Sequence, residues 1–253
     1  LAVERHRRLL DMLNAQGSIR TAEAARALGV TEETVRRDFE KLEAEGALIR
    51  SHGGAVKIES MRREFSVEER VRQHQAEKLR IARTAVARIQ PGQTILFDAS
   101  TTALQTAKLL PDQPLTVLTN ALQTALVLSQ KPAIRVILLG GNFHSSSQSC
   151  TGWAAEQMLE QIRIDTAYIS CRGLDAMHGP SEATEEHARL KRAIVQHAEE
   201  VCLLADASKA GTRSSFYFAR PSDLDFWITD CEPSPAFKAA ISSKGPRIII
   251  ASK

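Results

Sequence analysis

The chain has 253 residues, 43% of them hydrophobic and 25% charged, with a net charge of +3. That is room for one small and one mid-sized domain, each with its own core. No apolar run approaches the ~20 residues that cross a bilayer, and no charged leader precedes an apolar stretch, which excludes a membrane role and predicts a cytoplasmic protein. Cys150, Cys171, Cys202 and Cys231 form no CxxC pair and have no metal-ligand spacing with histidine. Reduced thiols, no metal and no cofactor are therefore expected. Charge is uneven: residues 1–90 hold 18 Lys+Arg against 14 Asp+Glu, and the remainder 15 against 16. A mild basic bias is weak evidence for a polyanion, so pattern has to decide.

Residues 4–16 read as an amphipathic helix with Leu9, Leu10 and Leu13 on one face and Gly17 past its end. Thr21 is expected to cap a short helix, Ala22 to Leu28, which Gly29 ends. Thr31 caps a third helix with Glu32 and Glu33 in its first turn, where the dipole favours them. Val35, Phe39 and Leu42 share its buried side, while Glu33, Thr34, Arg37 and Lys41 lie opposite and Arg36 flanks them. A short helix, a tight turn and a helix with Thr and Arg outermost is the helix-turn-helix layout, whose second helix enters the major groove. Arg and Thr can read base edges or hold phosphates, and the pattern leaves both open. The bland reading of such a unit is a three-helix module for protein contacts.

Two apolar segments around Gly53-Gly54, within residues 47–56, predict a β-hairpin. This is a wing, with Arg50 and His52 placed to touch the DNA backbone. We read residues 1–57 as a winged helix-turn-helix, 58–76 as a charged helical linker, and 77–253 as an α/β domain. From Glu77 a helix resumes and stops before the turn at Pro91-Gly92.

Beyond it, strands are expected at 94–97, 115–118, 135–139, 166–170, 201–205, 226–229 and 247–250, with helices at 103–110, 121–129, 154–161 and 183–197. The alternation predicts a largely parallel sheet covered on both faces. Ligands of such sheets bind at the carboxyl ends of the strands. The first strand runs into Asp98-Ala99-Ser100-Thr101-Thr102 and a helix. That loop is either an anion cradle of hydroxyls and free N–H groups or an ordinary cap. Other strands end in Thr119-Asn120, in Gly140-Gly141, where backbone can approach a ligand, and in Asp206-Ala207-Ser208-Lys209. Lys209 is a candidate phosphate cation or a surface lysine. Trp153 and Trp227 are expected in the core, and His74, His178 and His187 on the surface or in loops.

Arg5, Leu9, Leu13, Thr31, Thr34, Val35, Arg36, Arg37, Asp38 and Phe39, with the Arg-x-His-Gly-Gly wing, resemble the DeoR-type regulators. The resemblance extends over most of 77–250: Glu77-Lys78, the Asp-x-Ser-Thr-Thr loop, Thr119-Asn120, Gly140-Gly141, Gly173-Leu174-Asp175, the Glu182-to-Lys191 helix and Asp206-x-Ser-Lys209. It implies an effector domain similar in fold to ribose-5-phosphate isomerase and the CoA transferases. It also implies a sugar-phosphate pocket in which Ser100, Thr101 and Thr102 hold the phosphate. Asp98, Asn120 and Glu182 or Glu185 would meet sugar hydroxyls, and Lys209 would add charge. Two departures stand out. Ala99 replaces the Gly common in that loop, and Cys171-Arg172 precedes Gly173 where small or apolar residues are usual. Arg172 is either a pocket cation or half of a structural ion pair.

The resulting expectation is a regulator, by resemblance a repressor, of a sugar-metabolism operon, binding double-stranded operator DNA and a sugar phosphate as a dimer or higher homo-oligomer. Two other classes are compatible with parts of the pattern: a sugar-phosphate isomerase carrying a DNA-binding domain, and a DNA-binding protein whose large domain only oligomerises. Asp98, Glu182, Glu185 and Lys209 could serve acid/base chemistry, but shared fold does not transfer activity.

Overall fold

A computed structural model describes residues 2–45, 47–51, 53–56, 67–242 and 245–252. His52 and residues 57–66, which include the start of the expected linker, lie outside them. The first helix is Ala2–Gln16 (α1), followed by a short strand Ser18–Arg20 (β1), then helices Thr21–Leu28 (α2) and Glu32–Ala44 (α3). Ile49–Ser51 (β2) and Gly54–Val56 (β3) form the wing hairpin. The strand β1 was not expected; three residues carry no periodicity, and it exists because it pairs with β3. That pairing also corrects the expected cap. Thr21 is the first helical residue rather than the cap, and its N–H bonds to Gly53 O at 2.7 Å, so the wing's backbone satisfies the helix start.

Leu9, Leu13, Val35, Phe39, Leu42 and Leu48 close a small core under these elements. Asp38, on the buried side of α3, accepts from Arg5 Nε at 2.5 Å and Nη2 at 2.9 Å and lies 2.9 Å from His6 Nε2. Burial opposes its ionised form, but the Arg5 and His6 hydrogen bonds hold its carboxyl below the usual range.

The connector contributes Val67–Arg72 (α4) and Gln75–Val86 (α5). The larger domain then alternates strands Thr94–Phe97 (β4), Leu115–Thr119 (β5) and Ile134–Leu138 (β6) with helices Thr101–Leu109 (α6) and Leu122–Leu128 (α7). A hairpin, Asn142–His144 (β7) and Ser149–Thr151 (β8), and helix Trp153–Leu159 (α8) lead to Ile164–Ile169 (β9). Strands Gly173–Asp175 (β10) and Gly179–Glu182 (β11) precede helix Glu185–His197 (α9) and Ala198–Leu204 (β12). Phe216–Tyr217 (β13), Phe226–Thr229 (β14), Pro235–Ser242 (α10) and Arg247–Ile250 (β15) complete the chain.

The main sheet has order β15-β14-β12-β9-β4-β5-β6, every pair parallel. Successive strand residues face opposite sides. Ile95, Phe97, Val117, Tyr168 and Cys202 pack with α5 and α6, while Leu96, Leu118, Ala167, Ile169 and Leu203 pack with α8, α9 and α10. Both faces are therefore covered, as the unbroken apolar runs predict. Strands run outward in both directions from β4 and β9, so the order switches between them. A crevice at the carboxyl ends of such a pair is where open α/β sheets bind ligands.

The two tryptophans diverge. Trp227 is fully buried, with Nε1 donating to Ala205 O at 2.8 Å. Trp153, expected in the core, is 71% exposed at the start of α8, whose buried positions are Ala155 and Leu159. His187, expected on the surface, is buried between Ser149 Oγ at 3.2 Å and Thr184 Oγ1 at 2.9 Å, because its turn of α9 packs over the β7–β8 hairpin.

Candidate functional site

The crevice between β4 and β9 is lined by loops from both strands. After β4, Ser100 caps α6: its Oγ accepts from Ala103 N–H at 3.1 Å. The hydroxyl proton remains available, and the amides of Thr101 and Thr102 begin the helix without intrahelical partners. Ala99 fits without strain, since the only positive-φ residues other than glycine in the described chain are His74 and Gln148.

Asp98 braces this loop rather than lining the cavity. Its Oδ1 accepts from Ser100 N–H at 3.0 Å, and its Oδ2 from Ser170 N–H at 2.8 Å and Lys191 Nζ at 2.9 Å. Lys191, buried on α9, also reaches Glu182 Oε1 at 2.5 Å and Ser170 O at 2.6 Å. Burial disfavours its ammonium, but the two carboxylates hold it well above the usual lysine range. Burial likewise pushes Glu182 up, and Lys191, with Arg172 and His187, overcomes this and keeps it ionised.

The cavity wall contains Ser100, Thr101, Thr102, Arg172, Glu182 and Lys209, so the structure brings together six of the residues singled out in the sequence. Asn120, Gly140, Gly141 and Glu185 do not line it, and neither does Asp98. Asn120 donates to Cys150 O at 2.9 Å, tying β5's end to the β7–β8 hairpin. Gly141, at φ +133°, lies where a Cβ would come 2.4 Å from Thr151 O, so it serves close packing. Glu185 is exposed in the first turn of α9.

Sequence reading missed the connector's share of the wall: Arg70, Gln73, His74 and Lys78. The Glu77-Lys78 helix start was the available signal for Lys78. Its ammonium donates to Arg70 O at 2.5 Å. Burial, with Lys209 and Arg70 adding repulsion against Asp206 and Glu77, lowers Lys78 to about 8. At the end of β12, Asp206 accepts from Ser208 N–H at 3.0 Å. Burial opposes its charge, but Lys209, His74 and Ser208 hold it down to about 2. Hydroxyls, helix-start amides and several cations around one crevice are chemistry that accepts an anion.

The same crevice borders the DNA-binding unit. His74, in the left-handed region at φ +52°, lies 3.3 Å from Ser18 Oγ through its Nε2. Gln73 Nε2 donates to Gln16 O at 3.1 Å. Arg20 pairs with Asp230 at 3.2 Å, whose other oxygen accepts from Ala207 N–H at 2.7 Å.

On α3, Thr31 Oγ1 caps Thr34 N–H at 3.2 Å, as expected. Glu33, Arg37 and Lys41 are exposed, with Thr34 partly so. Arg37 pairs with Glu33 at 3.3 Å, while Arg36 pairs with Glu32 at 3.2 Å and lines the cleft toward the larger domain. Arg50 pairs with Glu40 at 2.9 Å and lines the same cleft. The outward set of α3 is thus centred on Arg37, with its side chain 73% exposed. Arg37→Ala is expected to weaken operator binding and reduce the slope of log affinity against log salt by about one, without altering the melting temperature. Unchanged affinity across several salt concentrations would remove Arg37 from the interface.

Fold and site together define a class: a winged-helix DNA-binding transcription regulator with an α/β sensor domain for a small-molecule effector. The chain belongs to the DeoR family. The DeoR-like helix-turn-helix domain matches residues 5–61, and the DeoR C-terminal sensor domain matches 73–231. An uncharacterized HTH-type transcriptional regulator of Bacillus subtilis, YulB, is 40% identical over 98% of this chain and 96% of its own. The HTH-type transcriptional repressor GlcR of the same organism is 34% identical over 96% and 93%. The L-fucose operon activator of Haemophilus influenzae is 31% identical over 88% and 89%. Ribose-5-phosphate isomerase A of Methanocaldococcus jannaschii is 14% identical over 54% of this chain and 55% of its own, with a TM-score of 0.41. The sequence relatives named here are regulators, and this chain is a transcription regulator. Among the described residues no helix is long and apolar enough to cross a membrane.

Proposed function

We propose that the chain represses an operon for sugar metabolism and that a phosphorylated sugar in the β4/β9 crevice releases it from operator DNA. The observation that carries this is the capped start of α6, with Ser100, Thr101 and Thr102 facing Lys78, Arg172 and Lys209 across one cavity. Three hydroxyls and free amides suit phosphate oxygens, and Glu182 at the wall suits a sugar hydroxyl. The name of GlcR supports repression, and that of the L-fucose operon activator supports a sugar operon.

A panel of phosphorylated and free sugars, screened by thermal shift, tests the reading, because a ligand that binds only the folded chain raises its melting temperature. A hit must then weaken operator binding in titration. Equal shifts from free sugars, or none from any phosphorylated one, would sink the proposal. A hit that strengthens operator binding would overturn release by the effector.

Lys78 sets a pH signature. Its folded pKa, about 8, lies below the unfolded lysine value, so the folded chain holds the proton at a cost that is relieved as pH rises through 8 toward 10. An anion beside it favours the protonated form. Sugar-phosphate affinity is therefore expected to fall by up to about ten-fold per pH unit above 8. Lys78→Met should flatten that limb, and a limb unchanged in the variant would assign it to another group.

The chain is also proposed to act as a homo-oligomer, at least a dimer, since one recognition helix and wing bury too little surface for tight specific binding. Light scattering that gives a monomer at micromolar concentration, with and without operator, would overturn this.

A further inference from the structure

We propose that Arg70, on the connector helix α4, is a ligand of the anion in the sensor cavity, so that the connector itself engages the effector. This rests on the reading of the crevice as a phosphate site. Arg70 lines the cavity with Ser100–Thr102, Lys78 and Lys209. Its Nε and Nη2 are buried and have no hydrogen-bond partner among the described residues. A guanidinium cannot shed its charge in a protein, and buried donors left unpaired are costly. The described acids nearby are engaged elsewhere: Asp98 and Glu182 with Lys191, Asp206 with its own turn, and Asp230 and Glu77 with Arg20. What the side chain lacks is an acceptor, and the cavity is where one arrives. A planar fork suits two oxygens of a phosphate.

The connector's other bonds give this contact its consequence. Val67 N–H bonds to Ser146 O at 3.1 Å, and Lys78 Nζ holds Arg70 O. One turn beyond Arg70, Gln73 and His74 bond to Gln16 and Ser18 of the DNA-binding domain. An effector shifts a conformational equilibrium only through contacts that differ between the states. A cation mounted on the segment that holds the winged helix supplies one.

The test is calorimetric titration of inorganic phosphate into the full chain at fixed ionic strength, for wild type, Arg70→Met and Arg70→Lys. Wild type should bind. Arg70→Met should bind about ten-fold more weakly or worse, and Arg70→Lys, a point charge without the fork, should fall between. Without phosphate, Arg70→Met should melt at the wild-type temperature or above, because an unpaired buried charge has gone. Phosphate should slow amide exchange over residues 67–75 in wild type and not in Arg70→Met. Arg70→Gln provides a second uncharged variant should the methionine variant misfold. Wild-type binding with an unchanged Arg70→Met affinity overturns the proposal alone. A wild type that binds no phosphate overturns it together with the phosphate reading of the crevice. Weaker binding accompanied by a lower melting temperature without phosphate makes Arg70 structural and also overturns it.

Discussion

Ser100→Glu is expected to hold operator DNA as wild type does and to lose its response to the phosphorylated effector. The new carboxylate takes the N-cap of α6, where the hydroxyl of Ser100 now bonds Ala103 N–H. Two like charges 4 Å apart repel by about 4 kcal/mol at an effective dielectric of 20, and the effector's phosphate carries nearly two. A loss of at least a hundred-fold in effector affinity follows. Exchanging the capping hydroxyl costs about 1 kcal/mol, partly offset because a negative charge suits a helix start, so the fold should survive. The winged helix closes over its own core of Leu9, Leu13, Val35, Phe39 and Leu42 and should be untouched. Lys209→Ala should weaken the response less, since hydroxyls, amides and Lys78 remain. Operator-binding titrations on wild type and both variants decide it. Should Ser100→Glu respond at wild-type concentrations, the phosphate does not sit at Ser100–Thr102.

Lys191→Met is expected to give a large stability loss in the sensor domain. It strands two carboxylates, of Asp98 and Glu182, that Lys191 now reaches at 2.9 and 2.5 Å. Breaking a buried ion pair from one side costs about 3–5 kcal/mol, a fall in melting temperature on the order of 10 °C for a domain of this size. Because the folded pKa of Lys191 is raised, its contribution is fully present below the unfolded value near 10.4 and is lost only as pH rises through the folded one. The loss should therefore persist at pH 8 and shrink as pH falls toward 5, where the stranded Glu182, which burial pushes up, takes a proton. Adding Asp98→Asn and Glu182→Gln should restore much of the stability, since no unpaired charge remains. A Lys191→Met melting curve within 2 °C of wild type would show that the cluster is not what holds these loops together.

The Lys191 cluster also explains why Asp98, expected to meet a sugar hydroxyl, braces the β4 loop instead, while Glu182 stays at the cavity wall. Spacing along the chain shows that an acid follows a strand, but not that a lysine nine positions beyond Glu182, one face around α9, will bond to both acids. The hydroxyl loop was legible because its chemistry is local: Ser100 caps the helix that Thr101 begins, and three consecutive residues suffice. Arg70 and Lys78 were read as linker and helix start, since their approach to Ser100–Thr102 depends on how α4 and α5 pack beside α6.

By itself the sequence determined the helix-turn-helix with its Val35, Phe39 and Leu42 face, the wing at Gly53-Gly54, and a parallel sheet covered on both faces. Each of these follows from short-range periodicity or turn chemistry, and β4, β14 and β15 fall at the expected residues. Tertiary structure alone decided which strands are neighbours, and so placed the switch in strand order between β4 and β9. It also decided which polar side chains are spent inside the protein and which still face the cavity. Both are long-range matters: residues 98 and 170 meet through a hydrogen bond across 72 positions of chain, and no local pattern records a bond of that span.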